Sequence, residues 1–234
     1  MKAFIRDHVP FARRMAHLVR TAPLRLKGPE RVFTEIYARN SWRGADSLSG
    51  PGSDREQTAA LRRELPGLLG ELRCRSVLDA PCGDFRWMSE TALAGVTYIG
   101  VDVVPALVES NRERYQTPSR TFFHLDITSD HLPHADLILC RDCLVHFSYR
   151  DVWAALRGFR ASGATYLLTT TFLRHTANRD IVTGEWRPLN LELAPFEFPP
   201  PLRLIDERYT LELGLFADKS LGLWRLADLD AAIG

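Results

Sequence analysis

Short apolar runs alternate with amphipathic segments through most of the chain. Each run is four to eight residues long and mainly apolar, which is typical of buried strands. The predicted strands are residues 76–79, 97–102, 120–125, 135–140, 165–170, 202–209 and 221–226. Because the first five runs are separated by helix-like segments, the pattern predicts an α/β fold with a doubly wound sheet.

Between the runs, apolar residues return at the spacing of a helix. The predicted helices are residues 30–39, 55–65, 86–94, 105–115 and 151–160. Ser53 or Asp54 is expected to cap the second helix, because Glu56 completes a capping box with Ser53. Pro66 is expected to interrupt the same helix.

Acidic residues follow or end three successive strands, as Asp79, Asp102 and Asp126. Doubly wound sheets bind ligands at the carboxyl ends of their strands, and an acid placed like Asp102 accepts hydrogen bonds from ribose hydroxyls. The turn between the first two acids contains Gly83 but lacks the three glycines of a dinucleotide site. Asp79 and Asp84 would repel a pyrophosphate, so they favour a cationic ligand.

The segment from Asp79 to Asp84, Asp-Ala-Pro-Cys-Gly-Asp, resembles the first motif of class I S-adenosylmethionine (SAM)-dependent methyltransferases. That motif is usually acid-x-x-x-Gly-x-Gly, and Phe85 stands here at the second glycine. The resemblance covers residues 70–172. It implies SAM as the cofactor and a Rossmann-like, seven-stranded sheet whose last two strands form an antiparallel C-terminal hairpin.

The resemblance also implies roles for residues of the cofactor site. Asp102 would bind the ribose, Asp126 would bind the adenine amino group, and Ile127 would pack on the adenine ring. The predicted cofactor-binding residues of this part of the chain are Asp79, Pro81, Gly83, Asp84, Phe85, Trp87, Asp102, Val103, Asp126, Ile127 and Arg141.

The chain is expected to divide into three regions: a basic N-terminal arm (1–27), a helical lid segment (28–72) and the methyltransferase domain (73–234). The loop 47–53 is rich in Ser and Gly, and its backbone N–H groups suit an anion such as the carboxylate of SAM. A flexible turn is the alternative. The lid residues predicted to contact SAM are Trp42, Gly50, Gly52 and Ser53.

Candidate catalytic residues follow the fourth and fifth strands. His146 is the first choice as a general base, because the ordinary pKa of histidine is close to neutrality. Asp142 is the second, as a base or by orienting a histidine, and His175 is the third. Alternatively, His146 only lines the pocket. Methyl transfer from SAM requires no metal.

The segment 172–201 contains five prolines and many aromatic and polar residues. We expect it to form a wall that faces the substrate, with a disordered insert as the alternative. Arg141, Arg179 and Arg187 suit a carboxylate or phosphate on the acceptor, unless they form surface salt bridges. The predicted reaction is therefore O-methylation of a small polar or anionic molecule. The alternatives are a protein or peptide methyltransferase and a non-catalytic SAM-binding regulator.

Composition adds expectations about compartment and partners. The chain is 45% hydrophobic and 25% charged, and no apolar run reaches the roughly 18 residues of a membrane span. Cys140 and Cys143 form a CxxC without a second pair, so we expect reduced thiols in a cytoplasmic protein and no metal.

The basic arm is the most strongly charged part of the sequence. Residues 1–27 hold seven Lys or Arg and one Asp, whereas the whole chain has a net charge of +1. The arm is compatible with weak contact to an anionic membrane surface, and a solvated helix is the alternative. Nucleic-acid binding is not expected, because the rest of the chain is acidic.

Overall fold

A single seven-stranded sheet forms the centre of the computed structural model, which describes residues 21, 24, 26–211 and 214–233. The strands are β1 (Ser76–Asp79), β2 (Thr97–Asp102), β3 (Arg120–His124), β4 (Leu137–Cys140), β5 (Tyr166–Phe172), β6 (Arg203–Asp206) and β7 (Lys219–Arg225). Their order across the sheet is β3-β2-β1-β4-β5-β7-β6.

The strand directions confirm the predicted fold class. Neighbours among β1 to β5 pair in parallel, whereas β7 runs antiparallel to both β5 and β6. Residues Val77 and Leu137 are register partners where β1 meets β4. The strand order reverses at this pair, and the crevice above such a switch point is where open α/β sheets bind ligands.

Six α-helices connect or flank these strands in the described part of the chain. They are α1 (Pro29–Ala38), α2 (Ala59–Glu71), α3 (Arg86–Ser89), α4 (Pro105–Tyr115), α5 (Tyr149–Ala161) and α6 (Asp230–Ile233). Helix α5 begins at a true cap, since the Ser148 side chain accepts a hydrogen bond from the Asp151 N–H. Helix α3 is a single turn, shorter than the sequence predicted.

The predicted start and interruption of α2 are wrong. The helix begins at Ala59 and continues through Pro66 to Glu71. Asp54 does not cap it, because its carboxylate instead accepts hydrogen bonds from the N–H groups of residues 45, 46 and 47. These bonds close the preceding loop, and packing of the apolar face of α2 against the sheet outweighs the helix-breaking tendency of Pro66.

Apolar layers cover both faces of the sheet. One layer contains the inward residues of α5, such as Leu156 and Phe159, packed against β4 and β5. The other contains Leu61 and Leu65 of α2 together with Phe85. Because strands β1, β4 and β5 are buried on both faces, they form a rigid base for the loops at their carboxyl ends.

The segment between β5 and β6 is folded against the first of these layers. Leu189, Leu191 and Phe196 are fully buried there, although the segment contains no regular element. Arg187 is also fully buried, and it donates to the carbonyl oxygens of Leu144 and Phe147 at 2.7 and 2.9 Å. This guanidinium therefore holds the backbone together instead of projecting toward an acceptor.

The predicted basic arm lies almost entirely outside the described residues. Within the described ranges, none of the helices combines the length and apolar character required to cross a membrane.

Candidate functional site

A cavity of about 410 Å³ opens at the carboxyl ends of the parallel strands. Strand ends, the turn around Gly83, helix α1 and the loop that follows α1 surround it. All the predicted cofactor-binding and catalytic residues line this cavity except Phe85 and His175, whereas Arg179 and Arg187, which were predicted to bind the acceptor, are not among its lining residues. We call residues 44–54 the lid loop, since they cover the cavity from the side of α1.

The glycine turn has the backbone shape that the motif requires. Gly83 has a φ of +54°, and a Cβ at this residue would lie 2.2 Å from Ser49 Oγ. Phe85 has a φ of +58° and is 1% exposed. Its ring packs on Tyr98 and Phe122 at centroid distances of 4.8 and 5.2 Å. The prediction that Phe85 contacts the cofactor is therefore not supported, because the ring belongs to the core.

Two buried carboxylates flank the turn. Asp102 accepts hydrogen bonds from the N–H groups of Gly83 and Val104 at 3.0 and 2.9 Å. Burial raises the pKa of Asp102 to about 6, and these bonds partly oppose the rise. Asp79 accepts a hydrogen bond from the Tyr98 hydroxyl at 2.6 Å. Burial, strengthened by the charge of Asp102, raises the pKa of Asp79 to about 7 despite this bond.

Asp84 attaches the lid loop to the glycine turn. Its Oδ2 accepts hydrogen bonds from the Ser47 hydroxyl and the Leu48 N–H, both at 2.9 Å. In return, the N–H of Asp84 donates to Ser49 Oγ at 3.1 Å. The Asp84 carboxylate is thus used mainly to hold the loop closed over the cavity, and it contributes negative charge to the wall.

Asp126 and Ile127 lie at the cavity after β3. Oδ1 of Asp126 accepts hydrogen bonds from the N–H and the hydroxyl of Thr128 at 2.8 and 2.6 Å, which fixes the turn. Ile127 is 5% exposed and presents an apolar edge to the cavity.

Arg141 lines the cavity and connects the end of β4 with two distant segments. It donates to Oε2 of Glu207 through Nε and Nη2, at 3.0 and 2.5 Å, and to the carbonyl of Gly52 at 2.7 Å. Oε1 of Glu207 is buried and has no hydrogen-bond partner. Arg141 therefore binds the lid loop and a buried carboxylate. Sequence reasoning missed Glu207, which no local motif marks.

Asp142 forms a partly buried ion pair that the sequence did not reveal. Lys219, at the start of β7, contacts its Oδ2 at 2.6 Å. Burial alone would raise the pKa of Asp142, but Lys219 and Arg141 outweigh it and lower this pKa to about 2. Asp142 is therefore ionised and weakly basic, which makes it a poor general base but a good acceptor of hydrogen bonds.

His146 lies in a one-turn helix (Leu144–His146) after β4. Its Nδ1 is 2.9 Å from the carbonyl oxygen of Glu185, and its ring lies 5.1 Å from that of Trp42. Burial lowers the pKa of His146, with a smaller contribution from the charge of Arg187. The imidazole is thus neutral at pH 7. Because a carbonyl oxygen can only accept, we assign the proton to Nδ1, which leaves the lone pair on Nε2.

His175 is not among the residues that line the cavity. Strand β5 extends to Phe172, two residues beyond the predicted end, and the N–H of His175 bonds to the carbonyl of Phe172 in the turn that follows. Phe172 thus reaches the cavity where the sequence had suggested His175.

The charges of the cavity fit a sulfonium cofactor. Six carboxylates line it, from Asp79, Asp84, Asp102, Asp126, Asp142 and Glu185, against the two cations Arg141 and Lys219. The resulting negative field favours a cation. Within the described ranges, no three His, Cys, Asp or Glu side chains form a group that could hold a metal ion.

Comparisons with known proteins agree with this fold. Residues 77–162 match a family model described as a methyltransferase domain. The crystal structure of human N-acetylserotonin methyltransferase in complex with SAM is similar, with a TM-score of 0.58 and 16% identity. The match covers 85% of this chain and 60% of the human chain, so this chain spans about 60% of the human enzyme.

A second similar structure is nearer in length. It is the 1,6-didemethyltoxoflavin-N1-methyltransferase of Burkholderia thailandensis, with bound 1,6-didemethyltoxoflavin and S-adenosylhomocysteine (SAH). The TM-score is 0.60 and the identity is 18%, over 86% of this chain and 91% of the other. None of the curated proteins matches the sequence.

The family match identifies a methyltransferase domain over residues 77–162, and the two similar structures share the fold of this chain. Those two structures contain SAM and SAH, and SAM as the cofactor of this chain stays the prediction that the resemblance implied.

Proposed function

We propose that the protein methylates an oxygen atom of a small polar molecule, with His146 as the general base. The observation that carries the proposal is the 2.9 Å contact between Nδ1 of His146 and the carbonyl of Glu185. This contact fixes the tautomer, so that Nε2 is available to take a proton. Both His146 and the glycine turn line one cavity, which supports a common reaction site.

SAM, when bound, supplies a methyl group on a sulfonium sulfur, which leaves as the thioether of SAH. Asp102 would hold the ribose, and the turn around Gly83 would hold the rest of the cofactor. A hydroxyl acceptor is a weak nucleophile until it loses its proton, so His146 would take that proton as the new carbon–oxygen bond forms. Asp142 would stay ionised and accept a hydrogen bond from the acceptor.

The test is methyl transfer from labelled SAM to a panel of small alcohols, phenols, amines and carboxylates. We expect hydroxyl compounds to be methylated. His146→Gln should lower kcat by a factor of about 10² to 10⁴, because general-base catalysis contributes on that order. The affinity for SAH should be unchanged. A loss of less than tenfold in kcat would exclude His146 as the base.

His134 offers a matched control. Its Nδ1 also contacts a backbone carbonyl, that of Ser162 at 3.2 Å, but it precedes β4 and lies outside the cavity lining. His134→Gln should leave kcat unchanged. Methylation of amines alone would overturn O-methylation, and SAH binding without turnover on any acceptor would favour the regulator alternative.

The pH profile gives a second readout. Since burial lowers the pKa of His146 below its ordinary value of 6.5, the base form should predominate from mildly acidic pH upward. We expect kcat/KM to rise with pH only below pH 6.5 in the wild type, and this rise should be absent in His146→Gln.

A further inference from the structure

Aromatic side chains dominate the cavity beyond the glycine turn. Phe172, Trp186 and Phe216 form one group, which we call the outer aromatic cluster. Their ring centroids are 6.1, 5.9 and 4.7 Å apart, with interplanar angles of 89°, 81° and 69°. All three line the cavity, and Trp186 is 37% exposed. The exposed ring surface of Trp186 is available to a ligand, whereas Phe172 is only 2% exposed.

A second aromatic group lies on the side of the lid. Phe33, Trp42 and Phe147 form this lid aromatic cluster, with Phe33 at 6.2 and 5.7 Å from the other two rings. His146 adjoins it through Trp42. The two clusters approach each other at His146, because His146 contacts Glu185, the residue before Trp186.

The cations of the cavity are already paired. Among the described residues that line it, Arg141 and Lys219 are the only Lys or Arg side chains. Arg141 bonds to Glu207, and Lys219 bonds to Asp142. An anionic acceptor would therefore meet an excess of carboxylates and would have to compete for both cations. These charges argue against the anionic acceptor that the arginines of the sequence had suggested.

We propose that the acceptor is a planar, uncharged aromatic compound with a hydroxyl group, stacked on the outer aromatic cluster so that the hydroxyl reaches His146. The inference rests on the proposed function, because the hydroxyl is the group that His146 would deprotonate. It adds no chemical step to that reaction and concerns only which acceptor molecules the cavity binds.

The test compares two alcohols with the same carbon skeleton. 1-Naphthol is planar and aromatic, whereas decahydro-1-naphthol is saturated and puckered. Their dissociation constants are measured calorimetrically on the full chain with saturating SAH. An aromatic contact adds a few-fold to about tenfold in affinity beyond apolar burial, so we expect 1-naphthol to bind about tenfold more tightly.

Trp186→Leu should remove most of this preference, because it keeps apolar bulk but removes the ring. The matched control is Phe123→Leu, since Phe123 is an aromatic residue of β3 with similar exposure, 42%, outside the cavity lining. Phe123→Leu should leave both dissociation constants unchanged. Retained thermal stabilisation by SAH shows that each variant has kept its fold and cofactor site.

Equal affinities for the two alcohols, no detectable binding of 1-naphthol, or a preference that survives Trp186→Leu would each overturn the inference. The two proposals fail in different ways. If 1-naphthol binds in a Trp186-dependent manner but is never methylated, the inference on recognition stands and O-methylation by His146 is lost. If decahydro-1-naphthol binds as tightly as 1-naphthol and both are methylated, O-methylation by His146 stands and the inference on recognition is lost.

Discussion

The two ends of the cavity are built in different ways. The cofactor end (residues 79–104) consists of segments that are close in the sequence. The hydrogen bond from Gly83 to Asp102, for example, joins residues 19 positions apart. The other end, where the proposed acceptor would bind, is called the acceptor end (residues 141–147, 172, 184–187, 207–211 and 214–219), and it is assembled from distant segments. Asp142 and Lys219 are 77 residues apart, and Arg141 and Glu207 are 66 apart.

The interactions differ in kind as well. The cofactor end is held by hydrogen bonds between backbone N–H groups and carboxylates, which follow directly from the turn. The acceptor end depends on the buried ion pair of Arg141 with Glu207 and the partly buried pair of Lys219 with Asp142, in which each charge has a partner from another segment. A buried pair adds little net stability, but the loss of one partner is costly, because the other charge remains unpaired. We therefore expect the two ends to respond differently to substitution.

The largest effect is expected for Arg141→Met at the acceptor end. This change leaves Glu207 buried with only the 3.4 Å contact to Lys219, so the free energy of unfolding should fall by about 3–5 kcal/mol. Urea denaturation followed by circular dichroism measures it. The double variant Arg141→Met/Glu207→Gln should recover part of the loss, because the unpaired charge is removed. A single variant as stable as wild type would contradict this account.

Asp79 should make the cofactor end pH-dependent in the absence of ligand. Its folded pKa of about 7 exceeds the ordinary 3.8, so the folded state holds an extra proton between these pH values. Stability of the ligand-free wild type should therefore fall as pH rises from about 4 to 7. Asp79→Asn cannot lose this proton. Between pH 4 and 7 its free energy of unfolding should therefore rise by at most about 4 kcal/mol relative to that of the wild type.

Denaturant unfolding at several pH values measures this difference. Asp206→Asn is the control, because Asp206 is an exposed acid at the end of β6. The variants should differ little at pH 4. If the difference between Asp79→Asn and wild type does not grow between pH 4 and 7, the Asp79 assignment is wrong.

Asp102→Ala should weaken SAH binding by about 10- to 100-fold, since hydrogen bonds to charged groups contribute about 1.5–3 kcal/mol. The variant also removes the acceptor for the Gly83 and Val104 N–H groups. Isothermal titration calorimetry measures the affinity. Asp206→Ala removes another acid at a strand end, outside the cavity lining, and should bind SAH as the wild type does. Wild-type affinity of Asp102→Ala would exclude a role in cofactor binding.

Ser47→Ala should have the smallest effect of these substitutions, a modest loss of affinity for SAH. It removes the hydrogen bond to Asp84 and the acceptor of a longer bond, 3.1 Å, from the Ser49 N–H, while the bond from the Leu48 N–H to Asp84 remains. We expect SAH to bind up to about fivefold more weakly, in line with about 1 kcal/mol for one hydrogen bond. The rate of SAH release, measured by stopped flow, should rise. A slower release would mean that this contact does not hold the lid loop closed.

Most of the cofactor end was predictable from sequence, because acids at strand ends and a glycine turn are local signals. Asp79, Asp102 and Gly83 all lie at the cavity. Residues 1–27 and their predicted membrane contact stay a prediction, since the structure describes few of them.

The acceptor end was less predictable, because its contacts join elements that only the fold brings together. Lys219 lies just before the apolar run of the last strand. A charged residue at that place was the one sequence signal for its ion pair. His175 was predicted from the expected end of β5 at residue 170. The strand in fact ends at Phe172, and Phe172 lies at the cavity instead of His175. Arg187 looked like a ligand-binding cation, yet three carbonyl oxygens accept its donors.

Phe85 shows that the glycine motif specifies a dihedral angle and not an amino acid. A positive φ costs a residue with a side chain on the order of 1 kcal/mol, and burying a phenylalanine contributes about 2–3 kcal/mol. At Phe85 the ring is buried among Tyr98, Tyr115 and Phe122, so the substitution is tolerated. A sequence pattern that demands the second glycine would reject this chain. A template written in backbone angles, with one buried aromatic position allowed, would retrieve it and others like it.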